Sequence, residues 1–218
     1  MQNLQTRRTI MAIAGLAASV AAPLAMAHIG TDGAPHMHDG NALQSLASGA
    51  LHPLTGLDHL AAMVSVGAWS VLSKPGQSMR SLLTAPAAFA VTLLLGALLA
   101  LAGLRLPGVE PMIAASLLVM GLLVATRLRL STGMGAALVA AFALCHGLAH
   151  GTELGGQAMA ALTGMVASTA VLHGLGMGVG LALRDQGHGA RRWASRLAGA
   201  GVALMGLGLL TPAVAAAL

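Results

Sequence analysis

Two short stretches of the chain carry residues whose types and spacing suit the binding of a metal ion. In the first, His52-Pro53-Leu54-Thr55-Gly56-Leu57-Asp58-His59, two imidazoles and a carboxylate bracket a proline and a glycine. In the second, Cys145-His146-Gly147-Leu148-Ala149-His150-Gly151-Thr152-Glu153, the candidate ligands are His146, His150 and Glu153. At ~100° per residue, His150 and Glu153 lie about 40° and −20° around a helix from His146, so one face carries all three. Neutral imidazole combined with carboxylate suits borderline divalent ions such as Ni, Co, Zn and Cu, and ligand type alone does not choose among them. Ligation needs deprotonated imidazole, so binding is expected to weaken as pH falls toward the unperturbed imidazole value of about 6.5.

The elements that must position these residues follow from composition. Of 218 residues, 56% are apolar and 8% charged, against about 25% charged in an ordinary soluble domain. Such a chain cannot cover a water-exposed globular surface. The formal charge is +5, but 11 basic residues among this much apolar sequence cannot form a broad phosphate-binding face, so no nucleic-acid partner is expected. One cysteine, Cys145, excludes a disulfide framework and a Cys-based structural zinc site. There is no G-x-x-x-x-G-K-[ST] run, which excludes a nucleotide-driven motor of that kind. The fold class expected is an all-α integral membrane protein with the lipid bilayer as its solvent.

Residues 1–27 have the three parts of a cleavable signal peptide: Arg7 and Arg8, the apolar run Ile10 to Leu24, and Ala25-Met26-Ala27. Cleavage would leave His28 as a periplasmic N-terminus. Residues 28–42 follow as a polar tail broken by Gly, Pro and Asp, in which His28, His36 and His38 read either as metal-collecting groups or as ordinary soluble tail residues. Residues 43–218 form the expected transmembrane domain. Its apolar stretches at 43–72, 82–103, 109–126, 134–152, 157–183 and 196–217 predict six transmembrane helices, since ~20 apolar residues cross ~30 Å of hydrocarbon.

Loop charge predicts the orientation. Lys74, Arg80, Arg127, Arg129, Arg184, Arg191, Arg192 and Arg196 fall in alternate connections, whereas the other connections hold only Arg105. By the positive-inside rule, the mature N- and C-termini are periplasmic and the protein sits in the cytoplasmic (inner) membrane of a bacterium. Trp69 and Trp193 then fall at the cytoplasmic interface, where indole rings prefer to sit. Gly174 and Gly178 predict a small-xxx-small packing face on the fifth span, with Gly176 and Gly180 alongside.

Both polar clusters fall in the outer parts of spans, where ionisable groups are costly and are functional candidates by default. Pro53 disfavours helix at His52 and Gly56 adds freedom, so the first span is expected to be broken. A half-helix would cover Leu43 to Leu51, with the main helix starting near Gly56. Thr55-x-x-Asp58 also fits a capping box, which leaves the two histidines unexplained. His173, in Leu172-His173-Gly174 of the fifth span, reads either as a packing hydrogen bond or as a second metal station. Glu110 reads as a helix-terminus carboxylate or an entrance charge, Cys145 points about 100° away from His146, and Met63, Met120 and Met177 read as lipid- or core-facing.

Together these features resemble the HupE/UreJ family of nickel and cobalt permeases. The H-x5-D-H signature is met by His52, Asp58 and His59, and H-G-x-x-H-x-x-E by His146, Gly147, His150 and Glu153. The element around His173 also resembles a recurrent feature of the family's fifth span. Cys145 stands where the family usually has an aromatic residue. The resemblance implies uptake of Ni(II) or Co(II) across the cytoplasmic membrane by a facilitative or secondary permease. Its metal site would be His52, Asp58, His59, His146, His150 and Glu153, with no enzymatic activity and no prosthetic group. It further implies an indirect link to hydrogenase, urease or cobalamin metabolism.

Two other classes fit parts of the pattern. A membrane metalloenzyme of the H-E-x-x-H type needs Glu directly after the first histidine, where this chain has Gly147. A bis-histidine haem protein needs facing histidines at matched depth, which the first and fourth spans supply.

Overall fold

A computed structural model describes residues 41–74, 76–154, 157–184 and 189–215. The expected signal peptide and the tail histidines His28, His36 and His38 lie outside the described residues. Seven helices and no strands occur among the described residues: α1 (Ala42–Thr55), α2 (Leu57–Leu72), α3 (Met79–Leu101), α4 (Val109–Thr126), α5 (Thr132–Glu153), α6 (Ala158–Ala182) and α7 (Gly189–Ala215). Of these, α3 to α7 are long and apolar enough to cross a membrane, whereas α2 is apolar but shorter. Their outward faces carry Val91, Leu95, Val171, Leu175 and Leu204, side chains that lipid tails would solvate.

Local chemistry explains where the helices begin. Asn41 and Gln44 exchange side-chain and backbone hydrogen bonds in a capping box at the head of α1. Ser78 and Ser131 accept from the first-turn amides of α3 and α5. A helix break occurs within 43–72 as expected, but it falls at Gly56 (φ −98°, ψ 117°) and not beside Pro53. Pro53 lies buried within the last turn of α1, and His52 is helical. A proline deletes one intrahelical bond, and α1 is held regardless because Gly49 lets its backbone rest on Ala161 of α6. The Thr55-x-x-Asp58 capping box does not form: Thr55 Oγ1 donates back to the His52 carbonyl at 2.8 Å, and the Gly56 N-cap has no side-chain bond.

Helices pair where small residues let backbones touch, as expected where lipid supplies no hydrophobic drive between helices. Gly96, Gly147 and Gly151 join α3 to α5; Gly121, Gly199 and Gly206 join α4 to α7. On α6 the packing face is Gly176 and Gly180, which meet the Val64 and Ala68 carbonyls of α2; Gly174 and Gly178 face open space. The expected Gly174/Gly178 face is therefore corrected by two residues. Two interleaved small-residue stripes occur on this helix, and only its neighbour decides which one is used.

The basic loops share one end of the bundle. Arg127 reaches Leu183 O at 2.9 Å and Ser195 Oγ at 3.0 Å, and Arg184 reaches Val71 O at 3.2 Å. These cations satisfy carbonyls that helix C-termini leave without intrahelical partners. Trp69 is fully buried, with Nε1 donating to Leu128 O at 3.0 Å. It is thus a core residue and not the lipid-interface anchor expected. Trp193 is exposed, and Arg196 lies 5.3 Å from its ring centre.

Candidate metal site

At the end of the bundle opposite the basic loops, the two sequence clusters converge. The end of α1 supplies His52, the start of α2 supplies Asp58 and His59, and the last turns of α5 supply His146, His150 and Glu153. Gly147 and Gly151 seat α5 directly on the α3 backbone, and this turns the intervening histidine stripe toward α1 and α2.

Five of the six residues form two overlapping groups. The ligand atoms of His59, His146 and His150 all lie within 4.8 Å of one another, and so do those of His52, His150 and Glu153. His150 belongs to both. The first group is buried, with His59, His146 and His150 exposed by 3%, 0% and 1%. The second opens outward: the His52 and Glu153 side chains are 34% and 50% exposed. His52 Nε2 is 3.1 Å from His150 Nδ1, and Glu153 Oε2 is 3.9 Å and 3.8 Å from these same atoms. The His59 ring centre lies 4.6 Å from that of His150 and 5.4 Å from that of His146. The mixed imidazole–carboxylate group is therefore the exposed one and the all-imidazole group the buried one.

Asp58 enters the site through His59. Its Oδ1 accepts from the His59 backbone amide and lies 2.9 Å from His59 Nδ1. The carboxylate thus serves an amide of the first turn and fixes the ring, directing Nε2 into the cluster. Carboxylate–histidine pairing of this kind is the usual way to set a ligand's tautomer and raise its basicity.

Ser116 of α4, which sequence reasoning missed, does the same for His146. The Ser116 hydroxyl donates to Ile113 O at 2.6 Å, so its oxygen accepts from His146 Nε2 at 3.0 Å. This pattern is satisfied when His146 carries its proton on Nε2. A lone serine in an apolar span gives no sequence signal, because such hydroxyls ordinarily bond to their own helix.

The remaining candidates separate from the cluster. Glu110 is exposed in the first turn of α4. Cys145 is half-buried and belongs to neither group. Met63 and Met120 are buried in the core beside Phe89. His173 lies one aromatic ring away: Phe89 of α3 is 5.1 Å from its ring centre and 5.7 Å from that of His146.

Comparison with known proteins adds an independent line. The family model described as HupE / UreJ protein matches residues 16–209. Protein HupE of Rhizobium leguminosarum bv. viciae is 38% identical over 177 residues, covering 80% of this chain and 89% of that protein. No solved structure matches the chain.

Proposed function

This chain belongs to the HupE/UreJ family, and we propose that it takes up Ni(II) or Co(II) across the cytoplasmic membrane as a facilitative or secondary permease, not as an enzyme. The observation that carries this reading is the membership of His150 in both ligand groups. His52 and Glu153 take an ion from water and replace part of its hydration shell. His150 already touches that group, so the ion passes to His59 and His146 by exchanging ligands, without full release. Asp58 and Ser116 act on the path by holding the rings of His59 and His146. Entry must be favourable but exit possible, as in any selective pore or carrier. Three ligands at each step, of which only Glu153 is a carboxylate, meet that need better than a closed cage would.

In this reading α1 and α2 together make the first of six crossings. The helix break at Gly56 lies beside the ion path, where irregular backbone at membrane depth is tolerated. Residues 1–27 are a removed signal peptide, 28–42 a His-containing periplasmic tail, and 43–218 the transport domain. Both mature termini are periplasmic. A reporter active only in the periplasm, fused after Leu218, is expected to be active; inactivity would reverse the topology.

Radiolabelled nickel and cobalt accumulation tests the function. At equal membrane levels, His52→Ala, Asp58→Ala and His146→Ala are each expected to lower uptake by about tenfold or more, the scale seen when a ligand or its orienting partner is lost. Undiminished uptake in all three would overturn the site assignment. Competition by unlabelled Ni, Co, Zn and Cu in the same assay ranks the ions.

A further inference from the structure

Behind the histidine cluster, α6 carries two buried polar side chains for which the fold provides no hydrogen bond. Thr169 and His173 are exposed by 0% and 3%, and neither Thr169 Oγ1 nor His173 Nε2 has a hydrogen-bond partner among the described residues. Four residues apart, they share one face of the helix. Buried polar atoms are nearly always paired, and an exception calls for an explanation such as an ion or water. Two exceptions on one face, beside a metal-ligand cluster, call for a common one.

Their position gives it. The His173 carbonyl lies against Gly67 of α2, two turns beyond His59 toward the basic loops, and the imidazole meets the edge of Phe89 at an interplanar angle of 85°. The same Phe89 ring lies 5.7 Å from that of His146. Phe89 is itself buried at 2% exposure, so one aromatic ring is in contact with both the His146 imidazole of the cluster and the His173 imidazole of α6.

Resting on the uptake reading above, we propose that His173 Nε2 and Thr169 Oγ1 form a second, weaker station for the divalent ion, and that Phe89 is the partition the ion passes to reach it. One imidazole and one neutral hydroxyl hold a borderline ion less firmly than three imidazoles. Affinity thus falls along the path inward, and release toward the cytoplasmic end is favoured over return. Two donors also leave coordination positions for water, so rehydration begins before exit.

The test uses the full chain with Co(II) as probe and reads uptake and binding separately. Thr169→Val removes the hydroxyl at nearly constant shape, Thr169→Ser restores it, and His173→Phe keeps a ring against Phe89. His173→Phe and Thr169→Val are expected to lower uptake by about tenfold and several-fold respectively while leaving tight Co(II) binding at the outer cluster within about twofold; Thr169→Ser keeps uptake. In purified His52→Ala/His146→Ala/His150→Ala protein, which keeps neither three-ligand group, a weak Co(II) site is expected to persist and to be lost when His173→Phe is added. Wild-type uptake in both Thr169→Val and His173→Phe, or weak Co(II) binding unaffected by His173→Phe, would overturn the station. If His173→Phe does not reach the membrane, Thr169→Val decides alone, and unchanged uptake overturns the proposal. If wild-type protein moves neither ion, the uptake reading fails, and the Co(II) binding comparison still decides the station.

Discussion

His150→Ala is expected to weaken Ni(II) binding by at least about a hundredfold, a loss of about 2.8 kcal/mol at 25 °C, and to abolish uptake. The reason is topological. His150 is the one residue common to the outer group with His52 and Glu153 and the inner group with His59 and His146. Removing it leaves an exposed two-ligand group and a buried two-ligand group with nothing to pass an ion between them. His52→Ala provides the internal comparison. It removes an outer ligand but spares all three buried imidazoles, so its effect on equilibrium affinity is expected to be smaller, about tenfold. Equilibrium dialysis or calorimetry on purified protein gives both numbers. A His150→Ala chain that binds as well as His52→Ala would show that the two groups act independently, and the shared-ligand path would be lost.

Gly147→Ala is the second large effect, although it removes no ligand. A Cβ at this position runs into the Leu93 carbonyl oxygen and comes 2.9 Å from the Ala97 nitrogen of α3. Both are backbone atoms, so no side chain can move aside and the helices must separate. Overpacking of this kind costs about 1–3 kcal/mol, and ~2–4 °C in Tm accompanies each kcal/mol for a chain of this size. Metal affinity is expected to fall with stability, because His146 adjoins Gly147 and His150 is one turn on. Any retreat of α5 from α3 changes their distance to His59. Gly174→Ala and Gly178→Ala are the controls: their added methyl groups meet nothing within 4 Å, and both variants are expected to match wild type in a thermal melt and in metal binding. Equal behaviour of Gly147→Ala and Gly174→Ala would remove the close α3–α5 contact as the support of the site.

Much of the candidate site is legible in the sequence because it is written in local periodicity. His146, His150 and Glu153 repeat at helical spacing, and α5 brings their ligand atoms to one side, where two turns of one helix require them to be. The broken first span is legible from Pro53 and Gly56, although which of the two makes the break is not. Both weaken a helix, and Pro53 is overruled by the seat that Gly49 makes for α1 on α6. The bounds of α4 agree with the predicted span, whereas α7 begins at Gly189, ahead of the predicted 196. Hydropathy marks where lipid begins, and a helix continues past that point into a charged turn at no cost to its hydrogen bonds.

Other features depend on which helix faces which. His52 and His150 are 98 positions apart, and Ser116 meets His146 across 30. Spacing within a helix carries no information about such pairs. The same holds for Trp69, whose partner carbonyl at Leu128 makes it a core residue, and for the Gly176/Gly180 stripe, indistinguishable by composition from its Gly174/Gly178 neighbour. An all-helical membrane chain, its apolar segments and the residue types able to hold a borderline ion all follow from the order of the amino acids. That His150 is shared, that Asp58 and Ser116 bond to the rings of His59 and His146 and that Phe89 touches both His146 and His173 follow only from the packing of the helices. The difference is one of range. Helical period and transfer to lipid are properties of a few consecutive residues, whereas helix pairing is a sum of many weak backbone-to-backbone contacts between segments distant in the chain.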